Sequence, residues 1–195
     1  MKKTLVIFSL TLLYATIRYN IFKGVPWSDW PLYVMNKSCA LTALILLARY
    51  VVLRAGTGTD DAEFVNASRL FFLMHGLLSF TILMPGYFPD YYAGTTFTPL
   101  AGISLFIGIA VFSVLMGISR KRVMLADETT NFWLALLAFG AGVHAALPGF
   151  MGWFQPAKWP GYMAPITLIS FVCGCTALAA VVVNKLTVAG RMKKI

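Results

Sequence analysis

The sequence contains little charge and few cysteines for its length. Only 12% of the 195 residues are Asp, Glu, Lys or Arg, whereas 59% are apolar, and a soluble domain carries about 25% charged residues. Too few polar side chains remain to cover a surface that faces water, which excludes an ordinary soluble enzyme and a disordered chain. The three cysteines are too few for a disulfide scaffold, and they lack the spacing of a four-ligand zinc site.

What the sequence does contain is a series of long apolar stretches. Six of them cover residues 4–22, 32–53, 64–84, 99–118, 131–147 and 163–184. A helix needs about 20 residues to cross a bilayer, and lipid offers its backbone no other hydrogen-bond partner. We therefore predict an all-α integral membrane protein, in which residues 1–195 form a single bundle of six transmembrane helices.

The net charge of +9 comes from basic residues near the ends of these stretches, so it indicates topology in the lipid bilayer and no binding to nucleic acid. Assigning the loops to alternate sides places four basic residues on one side and twelve on the other. The four are Arg18, Lys23, Lys37 and Lys158. Since positively charged loops stay in the cytoplasm, the sequence predicts that both termini are cytoplasmic.

The two histidines, His75 and His144, fall within the third and fifth stretches. A rise of 1.5 Å per residue puts them about 16 and 20 Å from the cytoplasmic starts of their helices, at similar heights in the outer half of the membrane. Ionisable groups at that depth are costly and usually functional. Two imidazoles at one level match the two axial ligands of a b-type haem, whereas zinc needs three or four ligands.

We interpret His75 and His144 as the axial ligands of one haem b. Two alternatives stay open: structural histidines that hydrogen-bond to neighbouring helices, and ligands of another metal or of a substrate. The small residues Gly76 and Gly140 lie close to the histidines in sequence. They would leave room for a porphyrin plane, or they would let two helices pack closely.

Three basic residues, Arg18, Lys23 and Lys37, lie around the outer ends of the first two helices, against the general trend of the charges. They would bind the haem propionates, because Arg binds a carboxylate with two hydrogen bonds and Lys acts as a point charge. The positions of these three residues are explained equally well if their side chains extend towards the lipid headgroups.

Several strings in the sequence resemble those of a known family. They are KGVPW at 23–27, PLYVMNK at 31–37, HGLLS at 75–79 and HAALPG at 144–149. Together with six spans and histidines on the third and fifth helices, they resemble small bacterial members of the ferric reductase-like transmembrane superfamily. The resemblance implies haem ligation by His75 and His144. The related NADPH oxidases hold two haems with two histidines on each helix, whereas this chain has one histidine on each and matches a single haem.

The sequence therefore predicts a b-type haem electron-transfer protein of the bacterial cell membrane, with oxidoreductase chemistry implied by the resemblance. The 195 residues include no flavin- or nicotinamide-binding domain, so we expect a quinol or a partner reductase as the donor. The acceptor would lie at the outer face, in the periplasm or outside the cell. No side chain is assigned a catalytic role. The competing hypothesis is a non-catalytic membrane subunit or a small permease with structural histidines.

Overall fold

The computed structural model describes residues 2–59, 61–84, 86–88, 91–120 and 128–192. Most of these residues belong to six α-helices: α1 (Lys2–Thr16), α2 (Met35–Thr57), α3 (Ala62–Ile82), α4 (Pro99–Arg120), α5 (Glu128–Ala146) and α6 (Ile166–Met192). A hairpin of two-residue strands, β1 (Tyr92–Ala93) and β2 (Thr96–Phe97), lies between α3 and α4. The predicted all-α class is confirmed for these parts of the chain, apart from the hairpin.

Within the described ranges, five segments are long and apolar enough to cross a membrane: Lys2–Phe22, Trp27–Thr57, Ala62–Ile82, Pro99–Gly117 and Pro160–Ala189. Their surfaces carry large exposed apolar side chains, including Phe80 at 77% exposure and Phe106 at 74%. Apolar surface of this kind is unfavourable in water and favourable in lipid. The chain is therefore a helical, multi-pass membrane protein.

Helix α5 covers most of the fifth predicted stretch, 131–147, but it is not among these five segments. It begins with the polar residues 128–131 and carries His144 near its end, and both features lower its hydropathy. Most of its side chains pack against protein, and Leu134, Ala135 and Ala138 are fully buried, whereas Trp133 is 54% exposed. A helix that is mostly enclosed by other helices does not need a uniformly apolar surface.

The helices alternate in direction along the chain. Near one end of the bundle, Thr4 of α1 donates a hydrogen bond to Glu63 of α3 at 3.0 Å. The ammonium of Lys185 on α6 lies over the ring of Phe132 on α5, 4.5 Å from its centroid. We call this end, where α1, α3 and α5 begin, the inner end, and the opposite end, where α2, α4 and α6 begin, the outer end.

Two short π-helices occur at the outer end. Ile17–Phe22 continues α1, and Trp30–Val34 leads into α2 after a 3₁₀ turn at Trp27–Asp29. A π-helical turn contains one more residue than an α-helical turn, so it rotates the helix that adjoins it. The first π-helix buries Arg18, a residue singled out in the sequence.

Helix ends differ from the predicted stretches mainly at the inner end. Helix α2 continues to Thr57 and stops where Gly58 takes a left-handed conformation with φ of +70°, which glycine adopts without strain. Helix α6 runs to Met192, beyond the predicted residue 184. Hydropathy marks the part of a helix that lipid covers, and the backbone continues as a helix until a residue such as Gly58 ends it.

Candidate functional site

The structure brings the two histidines together in the outer half of the bundle. The ring centroids of His75 on α3 and His144 on α5 are 6.4 Å apart, and the ring planes are inclined at 63°. The two helices begin at the same end of the bundle, so similar depths along them place the rings at one level. The two histidine side chains therefore lie close together at a similar depth, as the sequence predicts.

His75 is held by a side chain of α2. Its Nδ1 donates a hydrogen bond to the Oδ1 of Asn36, which is buried with 1% exposure. The Nδ2 of Asn36 donates in turn to the hydroxyl of Ser79 at 3.1 Å, one turn beyond His75 on α3. Because an amide oxygen only accepts hydrogen bonds, this contact places the proton of His75 on Nδ1.

His144 is held by the backbone of α4. Its Nδ1 donates a hydrogen bond to the carbonyl oxygen of Ser104 at 2.7 Å. The hydroxyl of Ser104 donates to the carbonyl oxygen of His144 at 2.8 Å, so the two residues are bonded in both directions. A carbonyl oxygen is also only an acceptor, and the proton of His144 therefore lies on Nδ1 as well.

Both imidazoles thus use Nδ1 for hydrogen bonds to the protein, which leaves Nε2 with a lone pair. Metal-bound histidines commonly have this arrangement, in which one ring nitrogen binds the metal and the other donates to a carbonyl or carboxylate. The outer hydrogen bond fixes both the tautomer and the orientation of the ring. His75 and His144 are therefore the described residues that could hold a metal, through their two Nε2 atoms.

The distance between the two ring centroids is close to the distance expected for two imidazoles that share a metal. A ring nitrogen binds a metal at about 2.0–2.1 Å and lies about 1.1 Å from its ring centroid, so two axial imidazoles have centroids about 6.3 Å apart. The observed separation is 6.4 Å. Among the residues that the structure describes, no group of three or more His, Cys, Asp or Glu side chains is placed to hold a metal ion. The donor set available here is a pair of imidazoles, which matches the axial ligands of a haem.

The glycines near the site face α4. A Cβ atom added to Gly140 would lie 3.0 Å from Cγ2 of Val111, and one added to Gly76 would lie 3.8 Å from Cε2 of Phe112. The contact at Gly140 corresponds to close helix packing, one of the two roles that the sequence left open for these glycines, whereas the contact at Gly76 is an ordinary van der Waals distance. The space for the His144 ring is provided by Gly108 on α4, where an added Cβ would lie 2.9 Å from both Cε1 and Nδ1 of that ring.

The basic residues singled out in the sequence surround a cluster of aromatic rings at the outer end. Tyr19 and Tyr33 are in edge contact with centroids 5.4 Å apart. Arg18 and Lys23 each lie 5.8 Å from the centroid of Tyr19, and Lys37 lies 5.3 Å from that of Tyr33. The three cations therefore gather around one pair of rings.

These cations have no anionic partner within the described parts of the chain. Arg18 is only 6% exposed, donates to the carbonyl oxygen of Met163, and has a buried Nε without a partner. Tyr91 does not supply a negative charge for these cations. Burial, with Tyr19 as a smaller cause, raises the pKa of its hydroxyl to about 12, so this hydroxyl is neutral at physiological pH. A buried guanidinium with an unused donor suits a carboxylate ligand.

Sequence reasoning did not identify Asn36, Ser104 or Gly108. Asn36 and Ser104 were ordinary polar residues in apolar stretches, and only the packing of α2 and α4 shows which ring each one meets. A usable signal was present on α4, since Ser104 and Gly108 are four residues apart and so lie on one helix face.

We expect replacement of Asn36 by leucine to disturb the site. The Nδ1–H of His75 would lose its buried acceptor, which costs about 1–3 kcal/mol of folding free energy, and the affinity for a metal group would fall about 10–100-fold. Thermal unfolding in detergent and the content of bound haem per protein measure these effects. Ser104→Ala is the matched control, because His144 keeps the backbone carbonyl as acceptor. Equal losses in both variants would contradict the role given to Asn36.

A comparison with models of known protein families and with curated proteins found no match to this chain.

Proposed function

We propose that this protein transfers electrons in the membrane of a bacterial cell by means of one b-type haem held by His75 and His144. The observation that carries the proposal is the ring pair itself, with its 6.4 Å separation and with both Nδ1 atoms engaged by the protein. Haem, when bound, supplies one-electron chemistry. Asn36 and the carbonyl of Ser104 orient the two ligands, and the surrounding apolar helices exclude water.

The proposal includes six membrane spans with both termini in the cytoplasm. Helix α5 is the span that this proposal adds to the five long apolar segments, and its packing against α2, α4 and α6 explains how it tolerates Asn131 and His144. Asn131 donates a hydrogen bond to the carbonyl oxygen of Val51, 3.4 Å away. The inner end carries Arg49, Arg54, Arg69 and Lys185 among its described residues, and the positive-inside rule assigns this end to the cytoplasm.

Arg18, Lys23 and Lys37 are proposed to bind the propionates at the outer end. This assignment is supported by the absence of a carboxylate partner for them in the described ranges and by the buried, unused Nε of Arg18. Lys37 holds its ammonium 4.6 Å from the ring centroid of Phe88, so the charge is fixed in position.

We expect Lys37→Gln to lower the midpoint potential of the bound haem. A positive charge close to the haem would favour the reduced state, so its removal should lower the potential by roughly tens of millivolts. Redox titration followed by absorbance measures the change. Lys158→Gln removes an exposed charge elsewhere at the same end and serves as the control. The assignment of Lys37 is wrong if both variants shift the potential equally.

The site lies in the outer half, at about 20 Å from the inner ends of its helices. Electron transfer from the cytoplasm over that distance is unfavourable, so a membrane quinol or a partner reductase is the proposed donor. The acceptor is an oxidant at the outer face, such as a ferric chelate, a periplasmic redox protein or oxygen.

The experiment that tests the reaction is rapid mixing of the purified, haem-loaded protein with menadiol and then with ferric citrate. We expect the visible spectrum to change to the reduced form with menadiol and to return with ferric citrate. A haem spectrum that responds to neither reagent would contradict the proposed reaction.

The non-catalytic alternative makes a different prediction for the same preparation. Asn36 and Ser104 satisfy the Nδ1 atoms without any cofactor, so structural histidines would give a stable protein that binds no haem after haem-replete expression. In that case His75→Ala and His144→Ala would change stability only.

A further inference from the structure

A groove opens to the lipid between α2 and α6, away from the two histidines. Its volume is about 330 Å³. It follows α2 over residues 45–53, a length of about 12 Å. Most of its lining side chains are aliphatic, such as Ile45 and Ala48 from α2 and Val172 from α6. The lining also contains Arg49 from α2 and Cys173 and Thr176 from α6.

The chemistry of this lining selects between occupants. None of the lining side chains is aromatic, so the groove offers no face on which the ring of a quinone could stack. The hydroxyl of Thr176 donates to the carbonyl oxygen of Val172 at 2.8 Å, which leaves it no hydrogen for a ligand. A flexible hydrocarbon chain matches the aliphatic wall better than a planar ring does.

Arg49 provides one fixed positive charge beside this wall. Its guanidinium lies over the ring of Phe64, 5.1 Å from the centroid, and Phe64 is in the first turn of α3 at the inner end. Arg49 is exposed, and no carboxylate in the part of the chain that the structure describes pairs with it. A guanidinium in this state can form two hydrogen bonds to a phosphate.

We infer that this groove binds an anionic phospholipid, with its phosphate on Arg49 and one acyl chain along the groove between α2 and α6. Basic residues between transmembrane helices on the cytoplasmic side are suited to anionic headgroups. The inference does not depend on haem, because the groove and the histidine pair share no residues.

Native mass spectrometry of the full chain in a mild detergent tests the inference by titration with phosphatidylglycerol and, separately, with phosphatidylcholine. The wild-type protein should retain phosphatidylglycerol preferentially. Arg49→Gln should weaken this binding about fivefold, the effect of losing one basic contact. Val172→Trp keeps the charge but fills the groove at a position that is 53% exposed, and it should weaken binding as well.

Lys185→Gln is the matched control. Lys185 is also exposed at the inner end and also rests on an aromatic ring, but it is outside the groove. Equal binding of the two lipids, unchanged binding in Arg49→Gln or Val172→Trp, or an equal loss in Lys185→Gln would overturn the inference. A neutral quinone that displaces phosphatidylglycerol, and binds wild type and Arg49→Gln equally, would also overturn it.

Discussion

Replacement of His144 by alanine is expected to remove nearly all haem from the purified protein. The variant keeps only one of the two imidazoles whose rings are 6.4 Å apart. Loss of an outer hydrogen-bond partner of a metal ligand already costs about 10–100-fold in affinity, so loss of the ligand itself should cost on the order of a hundredfold or more. His75→Ala should have the same effect. The absorbance of the Soret band per protein measures it.

A chemical rescue separates ligand loss from misfolding. Imidazole added to His144→Ala should enter the space left beside Gly108 and restore a spectrum with two nitrogen ligands. Ser68→Ala is a control on α3, because it removes a fully buried hydroxyl that donates to the carbonyl oxygen of Ala43 but is not part of the site. An undiminished Soret band in either histidine variant would contradict the assigned ligands.

The second large effect is expected at Gly108. Its substitution by valine adds a Cβ that would lie only 2.9 Å from both Cε1 and Nδ1 of His144, which is closer than these atoms can approach. The ring cannot move aside without losing its 2.7 Å hydrogen bond to the carbonyl oxygen of Ser104. We expect the imidazole to be displaced, with haem affinity reduced at least about tenfold and folding destabilised by about 1–3 kcal/mol.

Gly102 supplies a matched control on the same helix. A Cβ added at Gly102 meets no atom within 4 Å, so Gly102→Val should leave both the haem content and the thermal midpoint close to those of the wild type. Haem retained at the wild-type level in Gly108→Val, with a normal spectrum, would show that the position of the His144 ring does not govern binding.

The sequence was sufficient to predict the helices and the meeting of the histidines, because both follow from hydropathy and from distance along a helix. His75 and His144 had to lie at similar depth if their helices began at the same end. Hydropathy alone was less informative for α5, because its polar start and His144 are compensated by contacts with neighbouring helices.

The hydrogen-bond partners could not be predicted in the same way. Which ring Asn36 meets depends on the rotation of α2, and this helix follows a π-helical segment, Trp30–Val34, that changes its rotation. The contact of Gly108 with His144 depends on how closely α4 approaches α5. Such details are set by the packing of whole helices, and no local pattern in the sequence encodes them.

The central claim is that His75 and His144 together bind one haem, and a visible spectrum of the wild-type protein after haem-replete expression tests it most directly. We predict a Soret band with about one haem per chain, and sharp α and β bands after reduction, as expected for iron with two imidazole ligands. A folded, detergent-purified protein that shows neither the Soret band nor the reduced bands would contradict the claim.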